Sequence, residues 1–492
     1  MYNEKSVKYL ILLISGLLLN PCYSRDIKNI FFKLNSGQPS SGPTGNGISI
    51  INISGNNTWV GSNALSRTSD NGLTWTAYTQ NDGLGRGGVS AIAVKGDTIW
   101  VATLFDTTTQ LGRFHAGGGF FHSIDSGQTW KWTPQHVDTR DISEYEPTTT
   151  IIENATYDLA ITGNAVWSAT KGAGLRKTTD MGESWEVVTV DGYPFAPLEH
   201  LTHRTFSVLF TGKSLWVGSA GGIHKSLDKG KTWVTFNHQN QQSGISGNFV
   251  VAIGYQHWRN KCIIWASTLE AEDEDEYRAI SKTEDGGLTW DIFLEGIWTY
   301  DFAFDDSVVY ACTDNGLYKS LDFGETWAVF PQIYDTEIDE RIYNEVVYSA
   351  GVGSDEALWV GTGDGLALTT DNGLSWKIFR SFEKPGEGGN PKTYAYPNPF
   401  SPLRHNVSGE DGHVRFQYRT EKSTYVTIKI YDFGMNLVKT TVYDKYRPMA
   451  GDYADVWDGK NELGDMVANG VYFYKIIFDH DDPLWGKVMV VN

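Results

Sequence analysis

Short alternating runs of one kind recur along the chain: TWVGS, TIWVAT, AVWSAT, SLWVGS, IIWAS, VVYACT and ALWVGT. Each is strand-length and rich in β-branched or aromatic residues. Another strand precedes the run, as in SAIAV, YDLAI or YDFAF, and a turn of nearly fixed wording follows it. The turns are SRTSDNGLTW ending at Trp75, FHSIDSGQTW at Trp130, RKTTDMGESW at Trp185, HKSLDKGKTW at Trp233, SKTEDGGLTW at Trp290, YKSLDFGETW at Trp327 and LTTDNGLSW at Trp376. Successive Trp residues stand 55, 55, 48, 57, 37 and 49 apart, a period that fits one four-stranded unit each. The pattern predicts strands A to D in every unit, with the quoted turn joining C to D.

The turn's wording has a structural chemistry. Asp70, Asp125, Asp180, Asp228, Asp285, Asp322 and Asp371 can each accept hydrogen bonds from N–H groups of their own turn. The glycine two residues on supplies a positive φ. The Trp buries a large apolar face between neighbouring sheets. Six turns also carry a base three residues before the Asp: Arg67, His122, Lys177, Lys225, Lys282 and Lys319. These read as solvated strand-C positions rather than an anion-binding ring, because Leu368 breaks the series.

The seven turns resemble the Asp-box, the bacterial neuraminidase repeat, over roughly residues 30–385. Sialidases, xyloglucanases, sortilin-type receptors and photosystem assembly factors carry it on β-propellers. The resemblance implies an all-β, seven-bladed β-propeller with the Asp-boxes on the face away from the ligand site. It implies no activity, since hydrolases and pure binders share this ring.

Composition agrees with many short strands and tight turns: 53 Gly and 13% aromatic residues. A formal charge of -19, with no basic block, argues against a nucleic-acid partner. Residues 1–24 read as a secretory signal, with Lys5 and Lys8 before the apolar run from Tyr9 to Leu19, and with Cys22 and Ser24 as small residues ahead of Arg25. Lipidation of Cys22 is the other processing route, with Pro21 fitting it poorly. No later stretch has the ~18 continuous apolar residues of a membrane span. Cys262 and Cys312 read as buried thiols, offset too far along their strands for a disulfide.

With the C–D turns on one face, function is expected on the other, where loops are enlarged. Blade 2 inserts LFDTTTQLGRFHAGGGF between strands B and C and is followed by TPQHVDTRDISEYEPTTT; blade 5 inserts LEAEDEDEYR. The candidate rim is Arg113, His115, His136, Asp138, Arg140, Asp141 and Glu144, with Arg204 and Arg341 near the starts of inner strands. No cofactor is expected. Glu272, Asp273 and Asp275 could hold calcium, but lack the spaced glycine of a calcium loop, and a solvated charge run is the plainer reading. Inner strands of blades 3 and 6 carry Tyr157-Asp158 and Tyr300-Asp301; on nearly opposite sides of a ring these read as lining a hydrated mouth rather than as a glycosidase pair. Trp258, Trp298 and Tyr300 can stack on sugar rings, although packing is the alternative. The sialidase resemblance lacks the Arg-Ile-Pro element; RIY at Arg341 is the nearest string.

EKPGEGGNPKT, residues 383–393, reads as linker sequence, with the propeller placed at 25–385 and the linker at 386–393. The strands after it, from 394 to 492, predict a small β-sandwich. Tyr396-Pro397-Asn398-Pro399-Phe400, Trp457-Asp458-Gly459 and Asn469-Gly470-Val471-Tyr472 resemble the C-terminal sorting domain of proteins exported by the type IX secretion system, which is immunoglobulin-like. That resemblance implies export across the outer membrane of a Gram-negative bacterium, with the type IX machinery as a partner. It departs at the end, where Lys487 is followed by VMVVN instead of a Lys-rich motif. The chain thus reads as a secreted or surface recognition module for an extracellular glycan or protein, with a glycan-cleaving enzyme as the alternative.

Overall fold

The computed structural model describes residues 31–32, 38–40, 42–343, 346–403 and 412–492. The expected signal segment lies outside them. Among the described residues the chain is nearly all β, with two short 3-10 turns and no α-helix. Seven sheets follow one another, each containing four sequential antiparallel strands. Their first strands are Ile50–Ser54, Gly88–Lys95, Thr156–Thr162, Thr205–Phe210, Phe249–Trp258, Thr299–Asp305 and Val347–Val352. Each packs against the first strand of the next sheet, and the last packs against Ile50–Ser54, so these strands form the inside of a closed ring. Apart from the hairpin ends of the second and fifth sheets, the second strands are largely buried, Leu215–Ser219 entirely, which is why they read as apolar runs.

The repeated turn joins the third strand to the fourth in every sheet and clamps one sheet to the previous one. Asp322 Oδ1 accepts from the Thr326 N–H (2.9 Å) and the Ser320 hydroxyl (2.8 Å), and Oδ2 accepts from the Thr326 hydroxyl (2.7 Å). The same three bonds recur at the other six aspartates. They fold the backbone so that Phe323 (φ 58) and Gly324 (φ 87) are left-handed. Gly324 then sits so close to Trp265 of the preceding sheet that a Cβ would lie 2.2 Å from the ring. Trp327 completes the clamp, edge-on to Trp265 at 6.1 Å and 89°. Trp130 meets Trp59, Trp185 meets Trp100 and Trp75 meets Trp359 in the same way.

Hydrogen bonds from the Thr326 N–H and hydroxyl hold the Asp322 carboxyl below its ordinary range. Its stabilising contribution is therefore full above the usual carboxylate pKa and lost as pH falls through the lowered value. Asp322→Ala is expected to lower the neutral-pH melting temperature by a few degrees, with the gap to wild type closing below about pH 4. A gap that persists unchanged into acid would refute the carboxylate's role.

The six bases do not lie in solvent as expected from sequence. Each stands directly across from the aromatic of its second strand, as Lys225 does from Trp216. Lys225 Nζ is 4.9 Å from that ring, Lys319 Nζ 5.3 Å from Tyr310, and Arg67 lies 5.5 Å from Trp59. His122 stacks on Trp100 at 4.4 Å, and burial pushes its pKa down to about 4, so it packs as a neutral ring. Leu368 faces Trp359 in the seventh sheet, an apolar replacement for the cation–π contact. The series serves packing, which explains why a leucine can stand in it.

Among the described residues no strand is shared between the first and seventh sheets. The N-terminal strands Phe31–Phe32 and Gln38–Ser40 pair with the fourth strands of the second and first sheets, and neither joins the seventh. The ends of the ring instead meet through Trp75 against Trp359 and Phe379, and through Ile51 N–H donating to Ser349 Oγ (2.9 Å). Another correction concerns Cys262, which is exposed, while Cys312 is buried; both are free. The insertion of the second sheet is likewise a hairpin extension and not a loop: Thr98–Thr109 and Gly112–Ser123 pair throughout.

Beyond the ring, a three-stranded and a four-stranded sheet share a core that includes Phe400, Phe416, Ile428, Trp457 and Tyr474. This sandwich stands on the ring. Asp364, in the turn between the second and third strands of the seventh sheet, accepts two bonds from Arg415 Nη2 (2.9 and 2.8 Å). Arg380 of the ring also bonds Asp364 (3.1 Å) and pairs with Glu340. All four side chains are largely buried.

Candidate functional site

The connections between sheets and the turns between second and third strands share one face of the ring, opposite the repeated turns. On that face the inner strands carry a β-bulge, one extra residue that re-aims a side chain. The bulge residue is Tyr157, Phe206, Tyr300 and Tyr348 in the third, fourth, sixth and seventh sheets. These rings form two arcs: Tyr157 to Phe206 (5.7 Å) to Phe249 (4.5 Å), and Trp298 to Tyr300 (5.3 Å) to Tyr348 (5.2 Å). All six are half-buried. Burial raises the Tyr157 and Tyr348 hydroxyls to about 12 and shifts Tyr300 upward, so the phenols stay neutral donors.

Below this collar a cavity of about 660 Å3 runs along the inner strands, from Asp158 and Asp301 to Lys95 and Thr211 at the strand ends. Each aspartate immediately follows a collar tyrosine. Asp158 accepts from Leu159 N–H and, across to the next sheet, from Val208 N–H (2.8 Å each). Asp301 accepts from Phe302 N–H (2.8 Å) and from the Ser349 hydroxyl of the next sheet (2.6 Å). The side chains are deep in the ring yet reached by solvent through the channel. Burial is the first cause raising both carboxyls, Asp158 to about 7 and Asp301 to about 6, and the charge of Asp301 adds to the shift at Asp158.

The other rim candidates separate into clusters. Arg113 and His115 both pair with Asp106 on the extended hairpin. Asp138 is buried, bonded by both Nη atoms of Arg176 (2.9 and 2.7 Å), by His136 (2.9 Å) and by the Tyr145 hydroxyl (3.2 Å). Burial works against its charge, but Arg176 holds its pKa at about 2. This cluster pins the long connection between the second and third sheets. Arg140, Asp141 and Glu144 are exposed along it. Arg204 donates to the Pro197 carbonyl (2.6 Å), and Arg341 is exposed beside Tyr343, so these arginines are each held in a separate loop and do not converge. Trp258 lies at the opposite face against Phe323 and Arg259. In the acidic run, Glu276 accepts from Asn248 and Gln239 and Asp273 from Gln239; no group of three potential metal ligands occurs among the described residues.

Sequence reasoning reached Tyr157, Asp158, Tyr300 and Asp301 but missed Phe206, Tyr348, Phe249 and Arg176. The first two had a signal: an aromatic before Asp or Ser at the same point of the inner strand, in TYDL, TFSV, TYDF and VYSA.

No protein-family model matches the chain, and no characterised protein matches it in sequence. Solved structures do resemble it. The GH74 xyloglucanase of Xanthomonas campestris superposes with a TM-score of 0.51 at 18% identity, covering 70% of this chain and 56% of the enzyme. The GH74 enzyme of Niastella koreensis gives 0.51 at 15%, covering 94% and 74%. PorZ, a surface component of the type IX secretion system of Porphyromonas gingivalis, gives 0.45 at 16%, covering 92% and 60%. The chain thus spans 60% of PorZ and 56% of the Xanthomonas enzyme. At these identities the GH74 likenesses establish a β-propeller fold alone.

Proposed function

We propose that this protein is an exported recognition module whose seven sheets are the blades of an Asp-box propeller, binding an extracellular glycan at the collared mouth of its channel. The observation that carries the reading is the pair of aromatic arcs, six half-buried rings on the loop-bearing face with neutral phenols at their edge. Faces of this kind stack on sugar rings and donate hydrogen bonds at their rims. The sandwich is assigned as an immunoglobulin-like sorting domain for type IX export, with the outer surface of a Gram-negative bacterium or the medium as destination. No described helix is long and apolar enough to cross a membrane.

The test uses the full chain, because cutting before the sandwich would strip Arg415 from Asp364. Polysaccharides and sialylated glycans are screened while bound ligand and released sugar are both followed. Tyr300→Ala and Phe206→Ala are each expected to weaken binding by roughly tenfold, with the fold intact by circular dichroism. Unchanged affinity in both variants would remove the collar from the site. Sugar release abolished by Asp158→Asn or Asp301→Asn would replace the binding reading with a hydrolase.

A further inference from the structure

The two channel carboxylates lack a counter-charge. Among the described residues no Lys, Arg or His forms an ion pair with Asp158 or Asp301, and the hydrogen bonds they accept come from neutral backbone and hydroxyl groups. Lys95 lines the same cavity, but at the far end of its strand and exposed to solvent. Two acids facing a cavity without a cation of their own are complemented better by a cationic group than by a neutral or anionic one. The two acids directly follow collar tyrosines, at Tyr157-Asp158 and Tyr300-Asp301. A ligand at the collar is therefore held by the same inner strands that carry the acids.

Building on the collar as a glycan site, we infer that the ligand is an amine-bearing glycan. A free amino group on the stacked sugar points into the channel and supplies the missing positive charge to Asp158 and Asp301. The ammonium donates to carboxylate oxygens while the tyrosine and phenylalanine faces cover the ring carbons, with cation–π attraction adding from the collar. The same electrostatics disfavour sialylated or sulfated chains, whose anions would meet the two aspartates.

The decisive comparison needs only the wild-type full chain: calorimetric titration at neutral pH with the glucosamine trimer and with its fully N-acetylated form. Both offer the same rings to the collar and differ in the charge at nitrogen. The free-amine trimer is expected to bind at least tenfold more tightly and to release protons, seen as a dependence of the heat on buffer. The Asp158→Asn and Asp301→Asn double variant is expected to lose that preference while retaining the weaker, shared affinity. Equal affinity for the two trimers would overturn the amine assignment and leave the collar as a glycan site. A preference retained in the folded double variant would also overturn it. Weaker binding of both trimers in Tyr300→Ala supports the collar on which the amine assignment rests, and unchanged binding of both in that variant would overturn the collar rather than the carboxylates. Tighter binding of trilysine than of the glucosamine trimer would move the ammonium to a protein partner and overturn the glycan.

Discussion

Replacing Asp364 with alanine is expected to cost roughly 3–5 kcal/mol and to loosen the sandwich from the ring. The carboxylate is buried between two guanidiniums, Arg415 of the sandwich and Arg380 of the ring, with Glu340 the other anion close by. Burial alone would push its proton affinity up, yet Arg415 and Arg380 hold the carboxyl well below the usual range. Taking it away leaves two cations in a dry interface with one anion, the case in which a broken buried pair is most costly. The variant should melt earlier and be cut faster by protease in the stretch 384–392, which the docked sandwich holds through Arg419 and Glu387. Glu387→Ala is the control, removing an exposed pair, with little expected change in melting. If Asp364→Ala melts with wild type and resists protease equally, the network does not hold the domains together. The sign with pH follows from the lowered carboxyl: docking persists from neutral pH into mild acid and is lost only as pH falls below the ordinary carboxylate range.

Gly324→Ala should be nearly as damaging, by about 2–5 kcal/mol. Part of this is the left-handed backbone at φ 87, costing an L side chain roughly 1–2 kcal/mol. The remainder is collision, since the new methyl would meet Trp265 at 2.2 Å and force the clamp between the fifth and sixth sheets apart, at roughly 1–3 kcal/mol. Gly55 provides the comparison: its φ is 57 but a Cβ there meets nothing within 4 Å, so Gly55→Ala should cost only the backbone share. Chemical denaturation of the two variants beside wild type measures the difference. Equal costs would mean that the close approach to Trp265 contributes nothing.

The repeat was legible because its determinants are local: Asp, Gly and Trp act within one ten-residue turn, so their spacing survives in the sequence as written. What was not legible depends on register and closure. Lys225 and Trp216 are nine residues apart, and only the pairing of their strands shows the ammonium over the indole. Cys262 looked buried from its strand, but its position near the hairpin end leaves it open. The collar was half legible. Tyr157 and Tyr300 drew notice through the aspartates beside them, whereas Phe206 and Tyr348 precede serines and carried no chemical flag until the bulges aligned them. Arg176 had no signal, since its partner Asp138 lies 38 residues earlier in the connection that leads into its sheet.

Because the first and seventh sheets meet without sharing a strand, every sheet's four-stranded core is one uninterrupted stretch of chain. Duplicating or deleting the stretch of some fifty residues that forms one of the third to sixth sheets would therefore insert or remove a whole wedge without orphaning a strand, the clamp of each turn engaging whichever sheet now precedes it. A ring built this way can also be cut and rejoined between any two sheets, its old ends linked and new ends opened, and retain the same set of clamps.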